Sequence, residues 1–217
     1  MTQPLINILV RTSKRPKFFA NCVESIRKQT YKNVNVLISV DNYETEEYVK
    51  PYGYKYIRVF PRNKTDEDQN IIDKFIGAYY APHNLYLNQL MYEIHDGWVM
   101  FLDDDDVFMN DNALEIISKK MIDKDALILW KVKVKNKIVP NEQNWLKKPE
   151  LLDISGIGFS IHSKHKEFAW DQFNCSDFRI ISAAYHNLSH HEWIDDILTG
   201  TQVGAGYGKQ EDINYDL

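Results

Sequence analysis

Four successive aspartates, Asp103 to Asp106, follow directly on an apolar run at residues 98–102. Carboxylates held a few ångströms apart repel one another and raise each other's pKa unless a cation lies among them. Oxygen-only ligands favour a hard divalent cation, so the run predicts a site for Mg²⁺ or Mn²⁺. A solvated acidic turn that caps the next helix is the alternative explanation.

The elements before this run predict how it is positioned. Aliphatic runs at residues 5–10 and 34–40 are rich in β-branched residues, as in strands covered on both faces, and between them Pro16 begins a helical apolar pattern. A strand, a helix and a further strand are predicted at residues 56–60, 85–94 and 98–102. This alternation predicts an α/β fold with a mostly parallel central sheet, which places ligands at the carboxyl ends of its strands.

Later elements follow from the same patterns. A helix, a strand and a second helix are predicted at residues 112–121, 126–134 and 176–185, with loops at 61–68 and 141–149. The glycine-rich stretch 200–208 is expected to bend or to close over a ligand, and residues 209–217 to form a tail or linker.

Composition limits the function classes. With 217 residues and 44% hydrophobic residues, the chain fits one domain. Its 26 basic and 31 acidic residues give a net charge of -5, which argues against a nucleic-acid partner. Cys22 and Cys175 are isolated, so we expect no disulfide and a reducing, cytoplasmic setting. No apolar run approaches the roughly 20 residues of a membrane span.

Several segments resemble glycosyltransferases of the family 2 type, which have the GT-A fold. These segments are residues 10–16 (VRTSKRP), 24–31 (ESIRKQTY), 41–42 (DN) and 101–106 (FLDDDD), with Asn88 fifteen residues before Asp103. The resemblance spans about the first 180 residues. Arg11 stands where this family usually has proline, and Asn42 where it often has a second aspartate.

The resemblance implies roles for residues of the donor half, residues 1–106. It places Thr12, Arg15, Asp41, Asn88 and Asp103 on the nucleotide sugar, and Asp103 and Asp105 at the metal. The four-aspartate run also permits a second register, in which Asp104 and Asp106 take these positions.

The acceptor half is assigned to residues 107–208. Residues 156–159 (GIGF) look like the family's acceptor-side strand, and residues 175–179 (CSDFR) like its Glu-Asp motif, with Ser176 replacing the glutamate. This implies that Asp177 is the catalytic base. A capping role at the start of a helix is an equally ordinary explanation for that aspartate.

The predicted function is therefore metal-dependent, inverting transfer of a hexose from a nucleotide-diphosphate sugar to a hydroxyl of a glycan or glycoprotein. The resemblance favours UDP over GDP, because UDP is the more usual donor nucleotide in that family. The length and the absence of an anchor also resemble glycosyltransferase domains of large DNA viruses, such as chloroviruses. That closer resemblance implies a domain of a larger polypeptide, acting in the host cytoplasm.

Two other functions fit parts of the pattern. The spacing Asp103-x-Asp105-x-Val107 matches the signature of haloacid-dehalogenase-type phosphatases, although that signature usually lies near the N-terminus. The replacement at Ser176 also suits a nucleotide-sugar binding module without activity. Three late histidines are candidates for a further metal ligand: His186, His190 and His191. Three tryptophans are candidates for stacking on a sugar ring: Trp145, Trp170 and Trp193.

Overall fold

A computed structural model describes residues 3–205 of the chain. Its strands are β1 (Ile6–Thr12), β2 (Val34–Val40), β3 (Lys55–Arg58), β4 (Trp98–Asp103), β5 (Asp106–Phe108), β6 (Ala126–Val134), β7 (Lys137–Val139), β8 (Phe159–His162) and β9 (His190–Thr201). Its helices are α1 (Pro16–Arg27), α2 (Tyr43–Val49), α3 (Asp66–Lys74), α4 (Leu85–Tyr92), α5 (Ala113–Ser118) and α6 (Ser176–Asn187). Short 3₁₀ turns lie at Lys50–Tyr52 and Pro82–Asn84.

One continuous sheet joins all of these strands in the order β3-β2-β1-β4-β8-β6-β9-β5, and β7 pairs with β6. The strands from β3 to β4 are parallel, as are β6 and β9. The remaining pairs are antiparallel, so the sheet is mixed beyond β4. The predicted α/β class, with a central sheet between helices, is confirmed.

Strand β1 lies at the centre of the core and is buried on both faces. Ile6, Ile8 and Val10 pack with α1 and α5 on one face, whereas Leu9 packs with α4 and α6 on the other. This is why its sequence is a continuous aliphatic run rather than an alternating one. Within residues 3–205, no helix combines the length and the apolar character needed to cross a bilayer.

The end of α1 is tied to the segment that follows β5. The buried Gln29 donates from Nε2 to the Asn110 carbonyl at 2.8 Å, and its Oε1 accepts from the Leu114 N–H at 3.0 Å. Tyr31 hydrogen-bonds the Pro4 carbonyl. The Gln-Thr-Tyr pattern at residues 29–31 therefore has a structural role in this chain, because it fixes α1 against the helix after the aspartates.

Helix α3 and strand β9 differ from the sequence-based expectations. Helix α3 begins inside the predicted loop 61–68, where Thr65 and Asp68 form a reciprocal capping box. Strand β9 occupies twelve residues for which we predicted no strand. It includes Gly200, where an added Cβ would lie 2.8 Å from the Met109 sulfur, so this glycine serves close packing. Residues 206–217, which hold the rest of the expected bend and the tail, lie outside the described residues.

Candidate active site

The aspartate run lies at the carboxyl edge of the parallel strands. Asp103 ends β4 and pairs in register with Arg11 of β1, and Asp41 directly follows β2. Parallel strands bring the residues that follow them to one edge of the sheet, so these side chains converge although they lie far apart in sequence.

Three of the four aspartates converge, and the fourth turns away. Asp103, Asp105 and Asp106 each offer a carboxylate oxygen, and these oxygens all lie within 4.8 Å of one another. Asp104 is fully buried and accepts hydrogen bonds from Thr12 Oγ1 at 2.7 Å and from the Ser13 N–H at 3.3 Å. We call Asp103, Asp105 and Asp106 the carboxylate cluster.

Two arginines pair with this run. Arg11 donates to both carboxylate oxygens of Asp103, at 2.7 Å from Nη2, and reaches Asn84 Oδ1 at 2.8 Å from Nη1. Arg15 bonds Asp105 at 3.0 Å and also pairs with Asp104. Two guanidinium charges thus face four carboxyl groups.

The pKa values reflect an excess of negative charge. Burial raises the pKa of Asp105 and of Asp106, and the charge of Asp103 adds to the effect. Burial likewise raises the pKa of Asp104 to about 7, although Arg15 opposes it. Burial acts in the same direction on Asp103, but Arg11 outweighs it and keeps that pKa below its ordinary value. An added cation would relieve this repulsion, and three converging oxygens suit a hard divalent ion.

Asp41 and Tyr86 line the same cleft. Burial, together with the charge of Asp41, raises the pKa of Tyr86 to about 12. Asn42 donates to Asp41 at 2.5 Å, while its own Oδ1 caps α2 by accepting from the Thr45 N–H at 2.9 Å. Asp41 therefore has a fixed donor beside it, the Asn42 amide.

Asp177 lies in the first turn of α6 and borders the cleft. Its carboxylate accepts from the Gly156 N–H at 3.2 Å and from the Phe178 N–H at 2.9 Å. Burial raises its pKa in spite of these two donors. Gly156 is required for this approach, because an added Cβ would lie 2.8 Å from the Trp170 ring and 3.2 Å from Asp177 Cβ.

A cavity of about 880 Å³ connects these groups. Six of the predicted site residues line it: Thr12, Arg15, Asp41, Asp103, Asp105 and Asp177. The seventh, Asn88, is not among the lining residues. Its amide donates to the Trp170 carbonyl at 2.7 Å and accepts from the Trp170 N–H at 2.8 Å, so it joins α4 to the segment before α6.

Other lining residues were not predicted from the sequence. Asn84 and His83, in the 3₁₀ turn before α4, lie beside Arg11. Asp106 also joins the cluster, but the second register of the aspartate run had included it. Burial, and then the charge of Arg11, lower the pKa of His83 to about 4, so this histidine is neutral at pH 7. No local pattern marks Asn84, because its place in the site depends on a contact across 73 residues.

The other side chains considered for the site lie in different surroundings. None of the three late histidines lines the cavity; His186 and His191 bond the Ser182 and Tyr185 carbonyls, and His190 pairs with Asp123. Trp170 does line the cavity. Trp145 and Trp193 instead pack edge to face, with ring centroids 5.0 Å apart.

Solved structures with the same fold include TarS from S. aureus and a mannosyltransferase. TarS residues 1–349 superpose with a TM-score of 0.64 at 18% identity, covering 91% of this chain and 60% of that one. The chain has the GT-A fold of these glycosyltransferases. Mannosyltransferase PcManGT from Pyrobaculum calidifontis, in complex with GDP-Man and Mn²⁺, gives a TM-score of 0.63 at 12% identity, covering 96% of this chain and 59% of that one.

A further TarS structure is in complex with UDP-GlcNAc and has a TM-score of 0.64 at 16% identity, over 93% of this chain and 59% of that one. This chain therefore spans about three fifths of the length of these structures. No protein-family model and no curated protein sequence matches it. At such low identity the likeness establishes the fold alone.

Proposed function

We propose that this protein transfers a sugar from a nucleotide-diphosphate donor to an acceptor hydroxyl. The observation that carries the proposal is the carboxylate cluster, which lines one cavity of a GT-A fold together with Asp41 and Asp177. We infer that Asp41 contacts the nucleoside, the cluster the diphosphate, and Asp177 the acceptor hydroxyl. TarS structures with UDP and UDP-GlcNAc support a uridine donor by analogy.

Asp103, Asp105 and Asp106 would hold a divalent cation, Mn²⁺ or Mg²⁺, which neutralises charge on a departing diphosphate. Mn²⁺ accompanies GDP-Man in the mannosyltransferase of the same fold, which supports this assignment. Arg11 and Arg15 hold Asp103 and Asp105 in place before any ligand arrives. The cluster is therefore preorganised, which limits the ordering that binding requires.

At the nucleoside end, Asp41 accepts hydrogen bonds from the nucleotide, and the Asn42 amide holds the carboxylate in position. Thr12 acts through Asp104: its hydroxyl bonds the buried carboxylate and thereby fixes the turn that carries Asp105. These assignments keep Asp41 as a direct donor contact and make Thr12 a positioning residue.

Asp177 serves as the base in this mechanism. A raised pKa makes a carboxylate a better proton acceptor, and the Gly156 and Phe178 N–H groups fix its orientation. It accepts the proton of an acceptor hydroxyl while that oxygen attacks the anomeric carbon from the face opposite the leaving diphosphate. The product then has the inverted configuration, and the acceptor would be a glycan or glycoprotein.

The phosphatase alternative would use Asp103 as the nucleophile. The surrounding fold is that of glycosyltransferases, which favours sugar transfer. A binding module without activity would bind the donor and release no product.

Calorimetric titration of UDP, GDP and their sugars tests the proposal, first with Mn²⁺ and then with a chelator. We expect one nucleotide to bind in a metal-dependent way, and its sugar to be released to water or acceptor over time. Binding of no nucleotide in either condition would contradict the proposal. Release of phosphate from a generic phosphate ester would then support the phosphatase alternative.

A further inference from the structure

The hairpin between β6 and β7 forms one wall of the cleft and carries two lysines. Lys135 and Lys137 both line the cavity, and both are exposed. Within residues 3–205, neither ammonium group pairs with a carboxylate. We call Lys135 and Lys137 the hairpin lysines.

The two lysines of β6 itself differ from the hairpin lysines. Lys131 is buried, lies 4.9 Å from the centre of the Trp145 ring, and pairs with Glu142 at 2.6 Å and Asp195 at 2.5 Å. Lys133 is exposed and does not line the cavity. The β6 lysines are therefore either neutralised, as Lys131 is, or directed to solvent, as Lys133 is. The hairpin lysines, in contrast, border the cleft.

Hydrogen bonding fixes Lys135 near the carboxylate cluster. Its N–H donates to Thr201 Oγ1 at 3.1 Å, and Thr201 is the register partner of Asp106 in the β5–β9 pair. Adjacent strands lie about 4.8 Å apart, so the Lys135 backbone lies roughly 10 Å from that of Asp106. The four-carbon stem of a lysine spans much of this distance.

Backbone strain also concentrates at this cleft. Among residues 3–205, five non-glycine residues have positive φ, and four of them line the cavity: Lys14, Lys135, Leu152 and Cys175. The left-handed conformation costs an ordinary residue about 1–2 kcal/mol, and such residues cluster at ligand sites. Lys135, with φ of 54°, occupies a turn position that glycine or asparagine would fill with less strain.

The cations on the floor of the cleft are already engaged. Arg11 and Arg15 pair with Asp103, Asp104 and Asp105, so they cannot neutralise an added anion without giving up these contacts. The hairpin lysines have no such commitment among the described residues. An anion that enters the cleft beside the carboxylate cluster therefore meets them as available donors, together with Lys14, which is also exposed and lines the cavity.

We propose that Lys135 and Lys137 form a phosphate-binding subsite. The phosphate has two possible sources, the donor's diphosphate or a phosphate group on the acceptor. Both sources rest on the proposed function, whereas recognition of phosphate by the two ammonium groups does not. Lysine binds phosphate as a point charge, so the subsite selects charge rather than a particular planar geometry.

The double variant Lys135→Ala with Lys137→Ala tests the subsite, and Lys133→Ala, in the adjoining strand β6, is the matched control. Calorimetry in Mg²⁺ uses three probes. UDP and uridine are titrated into the free protein, and inorganic phosphate is titrated into protein with and without saturating UDP. If the source is the donor, the double variant binds UDP roughly tenfold or more weakly and uridine equally well. If the source is the acceptor, UDP binding is unchanged and phosphate binding falls by a similar factor.

Three outcomes would overturn the subsite. The wild type and the double variant could bind UDP and phosphate with the same affinity, or Lys133→Ala could lose as much affinity as the double variant. The third outcome is a wild-type protein that binds neither phosphate nor UDP. The proposed function fails separately. If the wild-type protein binds phosphate through the hairpin lysines but binds no nucleotide, the subsite is supported and a nucleotide-sugar donor is excluded.

Discussion

Asp105 is the member of the carboxylate cluster that follows β4 in the turn, and its only described cation is Arg15 at 3.0 Å. Asp105→Asn keeps the size of the side chain and removes one negative ligand. We expect metal-dependent UDP binding to weaken by more than roughly 10-fold, because even residues that only orient a metal ligand contribute that much. Calorimetry with Mn²⁺ measures the change.

Asp111→Asn is the control, since Asp111 is exposed and lies outside the cleft. Unchanged affinity in Asp105→Asn would mean that Asp103 and Asp106 suffice, and the predicted ligand assignment would be wrong.

Asp177 gives a prediction about chemistry rather than binding. Asp177→Asn should bind UDP normally and lose transfer by about 10²–10⁴-fold, the usual contribution of a general base. The pH profile adds a second measurement. Because burial raises the pKa of Asp177, its base form is lost as pH falls through a value above the ordinary 3.8. We therefore expect the acid limb of kcat above about pH 4, and a limb that persists in the variant would exclude this base.

At the scale of elements, Asn88 connects α4 to the backbone of Trp170, whose ring borders the cleft. Asn88→Ala removes two hydrogen bonds and leaves the Trp170 backbone groups without these partners. We expect the free energy of unfolding to fall by about 1–3 kcal/mol, with little change in UDP affinity. Denaturant unfolding and calorimetry measure the two quantities. Weakened UDP binding at full stability would instead support the direct donor contact predicted from the sequence.

The elements themselves were predictable to different degrees. Strands β1, β2 and β4 follow from nearly unbroken apolar runs, and α1 from Pro16 and its apolar spacing. Strand β9 was not predicted, because its pairing with β6 shifts register twice and its burial does not alternate. Irregular pairing removes the period-two signal on which a strand prediction depends.

At the scale of the whole molecule, the buried aspartates couple stability to pH. Asp104 has a pKa of about 7 in the folded protein against 3.8 for the ordinary group, so the folded state binds more protons between these values. Asp104 should therefore lower the free energy of unfolding as pH rises from about 4 to about 7 when a chelator removes divalent cations, whereas His83, with a pKa of about 4 in the folded protein, acts in the opposite direction. Urea unfolding across this range measures the slope.

Asp104→Asn should show a shallower slope over the same range, because the substituted side chain does not titrate. Equal slopes in the two proteins would assign the pH dependence to other groups. Divalent cation should raise the stability of the wild-type protein at pH 7, since it binds the folded carboxylate cluster and not a dispersed chain.

The sequence by itself was enough to predict the α/β class and the position of the acidic run after a central strand, because burial on two faces leaves a continuous apolar signal. The side-chain partners depended on the tertiary structure. Arg11 meets Asp103 through the register of β1 on β4, a pairing across 92 residues, and the turn after β4 directs Asp104 inward and Asp105 into the cleft. Such non-local geometry has no local pattern, so only the folded chain distinguishes four adjacent, identical side chains.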